Sequence, residues 1–424
     1  MPSVFAVDHN YSFPILHVSI NYDSIAMFEQ LSKNPIIAAY AHAVIVNLAT
    51  YPSDMATDLV TFKGSAPKWT NFAKHGKFGR IFLSPHDEFS RRHREQLKCL
   101  NDTNAMGQLV TAFIRLECGG KLQFTTKVYR DLAGHDAALD DLQILSQAMV
   151  QPYSWEEIQS EGNKVDLDMI KMLSRLPIAL ANTSVPLTDL YLDCFPLYAG
   201  FAQLLLHEKQ TASELEWELQ PVFQHLRVFS FGIETMDMAA PRHTPLPESD
   251  MSLMRAYLQA ALVSPQLMKA HLQFGAFGIH TDKASSTCNE ALFRLGPLLN
   301  CCMSSKLRQL IIEAVDTKFD ELQPLFSRLG QYMHRFELHG VRLLDGQWVP
   351  LLGAARQSTA QHWPEKHCRA NFLKLMGGGF DLAAVMNECE VLGSFSAVAG
   401  PRCLSRCPSE QCRSNMSRQT WRAQ

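Results

Sequence analysis

Few residue sets in this chain have the types and spacing that chemistry requires. His362, His367 and Cys368 supply three donors a metal could use, and Cys403, Cys407 and Cys412 supply three more. Neither group has the paired C-x2-C spacing of zinc sites, so surface histidines and free thiols are the simpler account. Gly377-Gly378-Gly379 is followed by Phe380-Asp381 and lacks the Lys-Ser or Lys-Thr of a phosphate-cradling loop; a helix terminator is the default there. No G-x-S-x-G elbow and no HExxH stretch occurs. The residues therefore point away from catalysis, and neither an enzyme nor a cofactor is expected.

The basic residues are more suggestive. Lys63, Lys68, Lys74, Lys77 and Arg80 are interleaved with Trp69, Phe72 and Phe78, a mixture suited to phosphates and stacked bases. Arg91-Arg92-His93-Arg94 follows, with Lys98 one turn on. On a helix Arg91, Arg94 and Lys98 share a face, where like charges repel unless an anion sits opposite. From Lys63 to Arg130 there are thirteen Lys/Arg against five Asp/Glu; from Asp131 to Gln220 the balance is four against fifteen. The net charge of −3 hides that split. Two solvated helical faces would produce the same asymmetry.

Elements must position these residues. A hydrophobic fraction of 46% and a charged fraction of 19% describe a globular chain. The apolar stretch Pro35 to Ala49, about 15 residues with His42 and Asn47 inside it, is too short to span a bilayer, so no membrane partner is expected. No signal peptide is visible at the N-terminus, and eleven irregularly spaced cysteines fit free thiols in a reducing compartment. Phe13 to Asn21 alternates as an edge strand or docking arm. Helical patterns cover Ser24 to Leu31 and Ile36 to Leu48. SPHDEF at 84–89 reads as a helix start with Ser84 as N-cap and Pro85 first. Apolar stripes at Leu215, Leu219, Phe223 and Leu226, at Met254, Leu258, Ala261 and Leu262, and at Leu307, Leu310, Ile311 and Ala314 predict three more helices, the first interrupted at Pro221. No repeat of 20–50 residues stands out, which argues against a solenoid.

Three segments carry a resemblance: Phe231-Gly-Ile-Glu-Thr-Met236, Ser252-Leu-Met254-x-x-Tyr257-x-Gln259 with Pro265 and Met268 after it, and Arg328-Leu-Gly-Gln331 after Pro324. In order and separation they resemble the C-terminal lobe of the nucleoproteins of paramyxoviruses and related nonsegmented negative-strand RNA viruses, where FGIETM, SLMxxYxQ and PxYFRLGQ follow one another. The resemblance implies a mainly α fold with two helical lobes, an RNA cleft between them, small β content near the N-terminus and terminal exchange arms. It implies an N-terminal arm at 1–12, lobes at 13–228 and 229–340, a C-terminal arm at 341–395 and a basic tail at 396–424. The implied function is encapsidation of single-stranded genomic RNA by a self-assembling protein of the virion and host cytoplasm, engaged by a phosphoprotein and a polymerase. This sequence lacks the family's central tyrosine between Phe277 and Gly296, and no arginine precedes Phe319-Asp320 where the family has one. RNA contacts are therefore expected by proximity, at Lys283, Arg294, Lys306, Arg308 and Lys318, together with the basic residues at 63–98. The alternatives are an all-α metal or haem enzyme using His362, His367 or Cys368, and a helical scaffold without a ligand.

Overall fold

The computed structural model describes residues 15–65, 82–116, 120–128, 149–160, 165–183, 185–196, 211–232, 248–275, 294–301, 306–326, 333–362, 369–373 and 375–377. Nine strands form one sheet: β1 (Ile15–Ser19), β2 (Ala43–Asn47), β3 (Lys121–Thr125), β4 (Asp189–Leu192), β5 (Val228–Phe231), β6 (Lys269–Gln273), β7 (Gln309–Glu313), β9 (Arg335–His339) and β11 (Arg369–Leu373). Every pairing is parallel, and the strands lie side by side in chain order. Three two-residue strands, β8 (Asp316–Thr317), β10 (Arg342–Leu343) and β12 (Met376–Gly377), make a second parallel ribbon. Each starts seven residues after the long strand it follows (309 and 316, 335 and 342, 369 and 376).

The sheet corrects the expected mainly α fold: this is an α/β chain, and its sheet stands where two helical lobes were expected. The boundary drawn at 228/229 falls inside β5, and one hydrophobic core runs from Leu16 to Leu375. Sequential, parallel, open strand order is the arrangement of an α/β solenoid, in which each unit buries its apolar face only by stacking on the next. The expectation against a solenoid is corrected with it. The repeat is present in the sequence. Leu187, Leu226, Leu267, Leu307 and Met333 each lie two residues before a strand and are buried, followed at positions 4 and 6 by the pairs Leu190/Leu192, Phe229/Phe231, Ala270/Leu272, Leu310/Ile312 and Phe336/Leu338. Val315 and Val341 then fill position 9 of the last two of these units. That is the L-x-x-L-x-L spacing of leucine-rich repeats.

The connecting helices are α1 (Tyr22–Ser32), α2 (Pro35–Tyr40), α3 (Ser53–Thr57), α4 (Leu59–Ser65), α5 (Leu83–Asn101), α6 (Thr103–Ile114), α7 (Trp155–Ser160), α8 (Leu167–Ala181), α9 (Ala212–Phe223), α10 (Glu248–Leu262), α11 (Leu295–Cys301), α12 (Phe319–Phe326) and α13 (Trp348–His362). Side-chain caps start several of them: Asn21 accepts from Ser24 N at 2.8 Å, and Thr211 and Glu214 form a reciprocal capping box on α9. Neighbouring helices pack in succession from α8 through α13, so they form a layer. The second and fourth residues of the long-sheet strands β1 to β7 and β9 are buried in the core those helices share. Burying one such Leu or Phe contributes about 1.5–3 kcal/mol. Tyr257, on α10, donates its hydroxyl to the Leu173 carbonyl on α8 at 2.8 Å, satisfying the polar end of a fully buried ring.

Several expected elements change. Ile36 to Leu48 divides into the short helix α2 and the strand β2, and the stripe at Leu307 to Ala314 is β7. In both, a continuous apolar run (Val44-Ile45-Val46, Leu310-Ile311-Ile312) satisfies helical spacing while belonging to a buried parallel strand. Helix α5 begins at Leu83 after Phe82, without a side-chain cap, so Ser84 is inside the helix and not its cap. Gly377 lies in β12 and terminates no helix. The strand at the N-terminus is present as β1, at the edge of the sheet.

Candidate functional site

Side chains alternate across a strand, so the first, third and fifth residues point away from the helix layer. The register aligns them in rows. The middle row runs His17, Ile45, Gln123, Tyr191, Ser230, His271, Ile311 and Glu337 across eight adjacent strands. His17, Gln123, Tyr191, Ser230 and His271 are half-buried, whereas Ile45, Ile311 and Glu337 are buried among their neighbours. This face carries most of the polar chemistry of the sheet.

Its densest part spans β5 to β9. Ser230 Oγ lies 3.4 Å from His271 Nδ1, and His271 Nε2 lies 3.2 Å from Glu313 Oε1. Glu313 Oε1 also meets His339 Nδ1 at 3.2 Å, and His339 Nε2 lies 3.3 Å from Glu337 Oε2. Arg335 Nε donates to Glu337 Oε1 at 2.6 Å. For Glu313, burial is the largest influence and raises the pKa, but the hydrogen bonds and charges of His271 and His339 together take it down to about 2. For His339, burial again opposes the charged form, and the two glutamates overcome it to lift the imidazole to about 9. His339 is therefore a cation at neutral pH, and the line His339, Glu313, Glu337 and Arg335 neutralises itself.

Toward β3 the same face pairs Lys121 with Asp189 at 3.7 Å, and Gln123 Nε2 bonds Asp193. Burial raises the Asp189 carboxyl against the charges of Lys121 and Arg227. Burial also lifts the Tyr191 phenol to about 12, helped by Asp189 and Asp193, so it remains a neutral hydroxyl in the middle of the face.

A serine, histidine and glutamate in line invite comparison with a nucleophile relay. The backbone of β5, however, is engaged by β4 on one side and β6 on the other. The N–H groups an oxyanion would need are spent on the ladder. This arrangement can hold a partner through hydrogen bonds; it does not present the parts of an acyl-transfer site. Among the described residues no cluster of His, Cys, Asp and Glu is arranged to hold a metal.

The described residues among those expected to contact RNA do not all gather in one place. Lys68, Lys74, Lys77 and Lys283 lie outside the described residues, as do His367, Cys368 and the segment Arg328–Gln331. Lys63 is on α4, 5.9 Å above the Phe82 ring. Arg91, Arg92, Arg94 and Lys98 are on α5, where Arg91 pairs with Glu88 at 2.7 Å and also with Glu95, and Arg92 pairs with Glu88 at 2.8 Å. Arg91 and Arg92 are thus answered by carboxylates of their own helix, while Arg94 Nε donates to the Ser90 carbonyl at 3.3 Å. Arg294 is exposed just before α11, and Lys318 is exposed between β8 and α12. Lys306 and Arg308 alone lie beside the sheet, at the start of β7. Sequence reasoning missed Tyr191, Ser230, His271, Glu313, Glu337 and His339; for Tyr191, Ser230, His271 and Glu337 the available signal was a polar group between two buried apolar residues after Leu-x-x or Met-x-x, whereas Glu313 and His339 are the last residues of their strands and carry no such signal. Among the described residues no helix is long and apolar enough to cross a membrane, and Cys99, Cys194 and Cys301 are free thiols. No protein-family model matches this chain, and no curated protein matches it as a relative.

Proposed function

We propose that this chain is a polypeptide-binding scaffold that uses the face of its sheet turned away from the helix layer. One observation carries the reading: eight strands in chain order place a row of mainly polar and aromatic side chains, from His17 to Glu337 and interrupted at Ile45 and Ile311, on a face opposite the helices. Parallel sheets normally have both faces covered, and solenoids are the case in which one is left as an extended binding surface. Tyr191, half-buried in the middle of the row, supplies the aromatic contact that protein interfaces favour, while the paired charges around it supply hydrogen bonds.

The expectation of an RNA-coating protein rested on the resemblance of three short segments, and the mainly α, two-lobed fold that the resemblance implied is not the fold of this chain. On the binding face the charges are matched in pairs, Lys121 with Asp189 and Arg335 with Glu337, which suits a polypeptide better than a run of phosphates. A photo-reactive phenylalanine analogue placed at Tyr191 tests the proposal by asking what it captures in the cell.

A further inference from the structure

The edge at which the strands begin has a different character from the face. From β5 to β9 it carries Arg227, Lys269, Lys306, Arg308, His334 and Arg335. Their backbones are tied to one another. Lys269 N donates to Arg227 O at 3.0 Å, and His334 N and Arg335 N donate to Arg308 O at 2.7 and 3.0 Å. Successive strands are about 4.8 Å apart, so the Arg and Lys side chains form a row of fixed spacing, with His334 beside Arg335. Arg227, Lys269, Lys306 and His334 are exposed. Glu313 closes the opposite end of β7 and Glu337 pairs with Arg335, while Asp189, at the same edge on the adjoining strand β4, is buried beside Lys121 and feels the charge of Arg227.

We infer that this edge docks an acidic segment of a polypeptide partner. The inference rests on the scaffold reading and adds the chemistry of the partner to it. Complementary charge steers association and orients the partner against the sheet. A nucleic acid is the less suitable occupant: among the described residues of this edge no Phe, Tyr or Trp is exposed for bases to stack on.

The test measures fluorescence anisotropy of a labelled deca-glutamate peptide with the full chain, against a glycine–serine peptide and a single-stranded oligouridine. The acidic peptide is expected to bind, and raising salt from about 20 to about 200 mM is expected to weaken it markedly. The triple variant Arg227→Glu, Lys269→Glu, Arg308→Glu is expected to lose at least about tenfold in affinity, with the corresponding Gln variant between it and the parent chain. Arg91→Glu, on the helix layer, should leave binding unchanged. The inference is overturned if deca-glutamate binds no better than the neutral peptide, or if Arg91→Glu costs as much as the edge variant. Tighter oligouridine binding abolished by the same edge substitutions would also overturn it and assign the edge to phosphates. Circular dichroism reports folding of each variant, and the parent chain's salt and peptide comparison decides even where a variant unfolds. Capture from Tyr191 is read separately: if it persists while the edge is silent, only the acidic chemistry is withdrawn.

Discussion

His339 Nδ1 and Glu313 Oε1 meet at 3.2 Å across the β7–β9 ladder, joining residues 26 apart in the chain. The contact makes stability depend on pH in a defined way. The histidine rises from an ordinary 6.5 to about 9, so its contribution is complete below about pH 6.5 and is lost as pH rises through about 9. The glutamate falls from 4.5 to about 2, so its contribution is present above about pH 4.5 and is lost as pH falls through about 2. Both shifts describe one shared interaction, so its benefit is greatest between about pH 4.5 and 6.5. Denaturant unfolding of the parent chain and His339→Gln should show the largest stability gap in that window. A gap unchanged from pH 5 to pH 10 would contradict the ionic role of the pair.

Arg342 secures the second ribbon. Its Nε donates to Asp316 Oδ1 at 3.0 Å, and its Nη2 bonds the other oxygen of a carboxylate whose side chain is fully buried. Arg342→Ala removes the bidentate partner of a buried charge and should destabilise the chain by about 3–5 kcal/mol. Replacing both residues with apolar ones of similar volume should restore much of the loss. Chemical denaturation of the single and double variants measures this directly.

Backbone conformation gives a third prediction. Gly120 has φ of +71°, and a Cβ there would stand 2.0 Å from the Pro186 carbonyl oxygen. Its own carbonyl accepts from Thr188 N at 3.1 Å, holding the start of β3 against β4. Gly120→Ala should therefore cost more than the 1–3 kcal/mol (about) of left-handed strain alone. Ala314 and Gly340 occupy the equivalent turn after β7 and β9, with φ of 55° and 60°. Ala314→Gly should be neutral or stabilising by up to about 1 kcal/mol, since it relieves that strain at the expense of chain entropy. Thermal unfolding of the two variants gives opposite signs if the turn geometry is as described.

Part of this structure was legible in the sequence, and the missing part has a physical cause. The β1 alternation and the stripe of α9 were clear because each element buries only one face, and α10, buried on most of its surface, still showed helical spacing. Strands β2 and β7 read as helices because Val44-Ile45-Val46 and Leu310-Ile311-Ile312 are apolar on both faces, which erases the period of two. The repeat stayed hidden because its connections vary: strand starts are 26 residues apart from β7 to β9 and 78 apart from β2 to β3. A fixed-period search cannot find units that differ threefold in length, although the Leu-x-x-φ-x-φ core recurs in each of the five units from β4 to β9. The binding face was less legible still. Ser230, His271 and Glu313 are each a single polar residue about 40 positions from the next, and only the register brings them together. Of the basic residues that looked like a cluster on α5, Arg91 and Arg92 are paired along their own helix. The edge that does present cations draws one or two from each strand.

The central claim is that the sheet face, and not the helix layer, receives a polypeptide. A photo-reactive phenylalanine analogue at Tyr191 probes the middle of the face, and the same analogue at Trp217, 76% exposed on α9, probes the helices. After irradiation in cells of the source organism, discrete protein adducts should form from position 191 and be absent from position 217. Adducts only from position 217, or RNA in place of protein at position 191, would contradict the account.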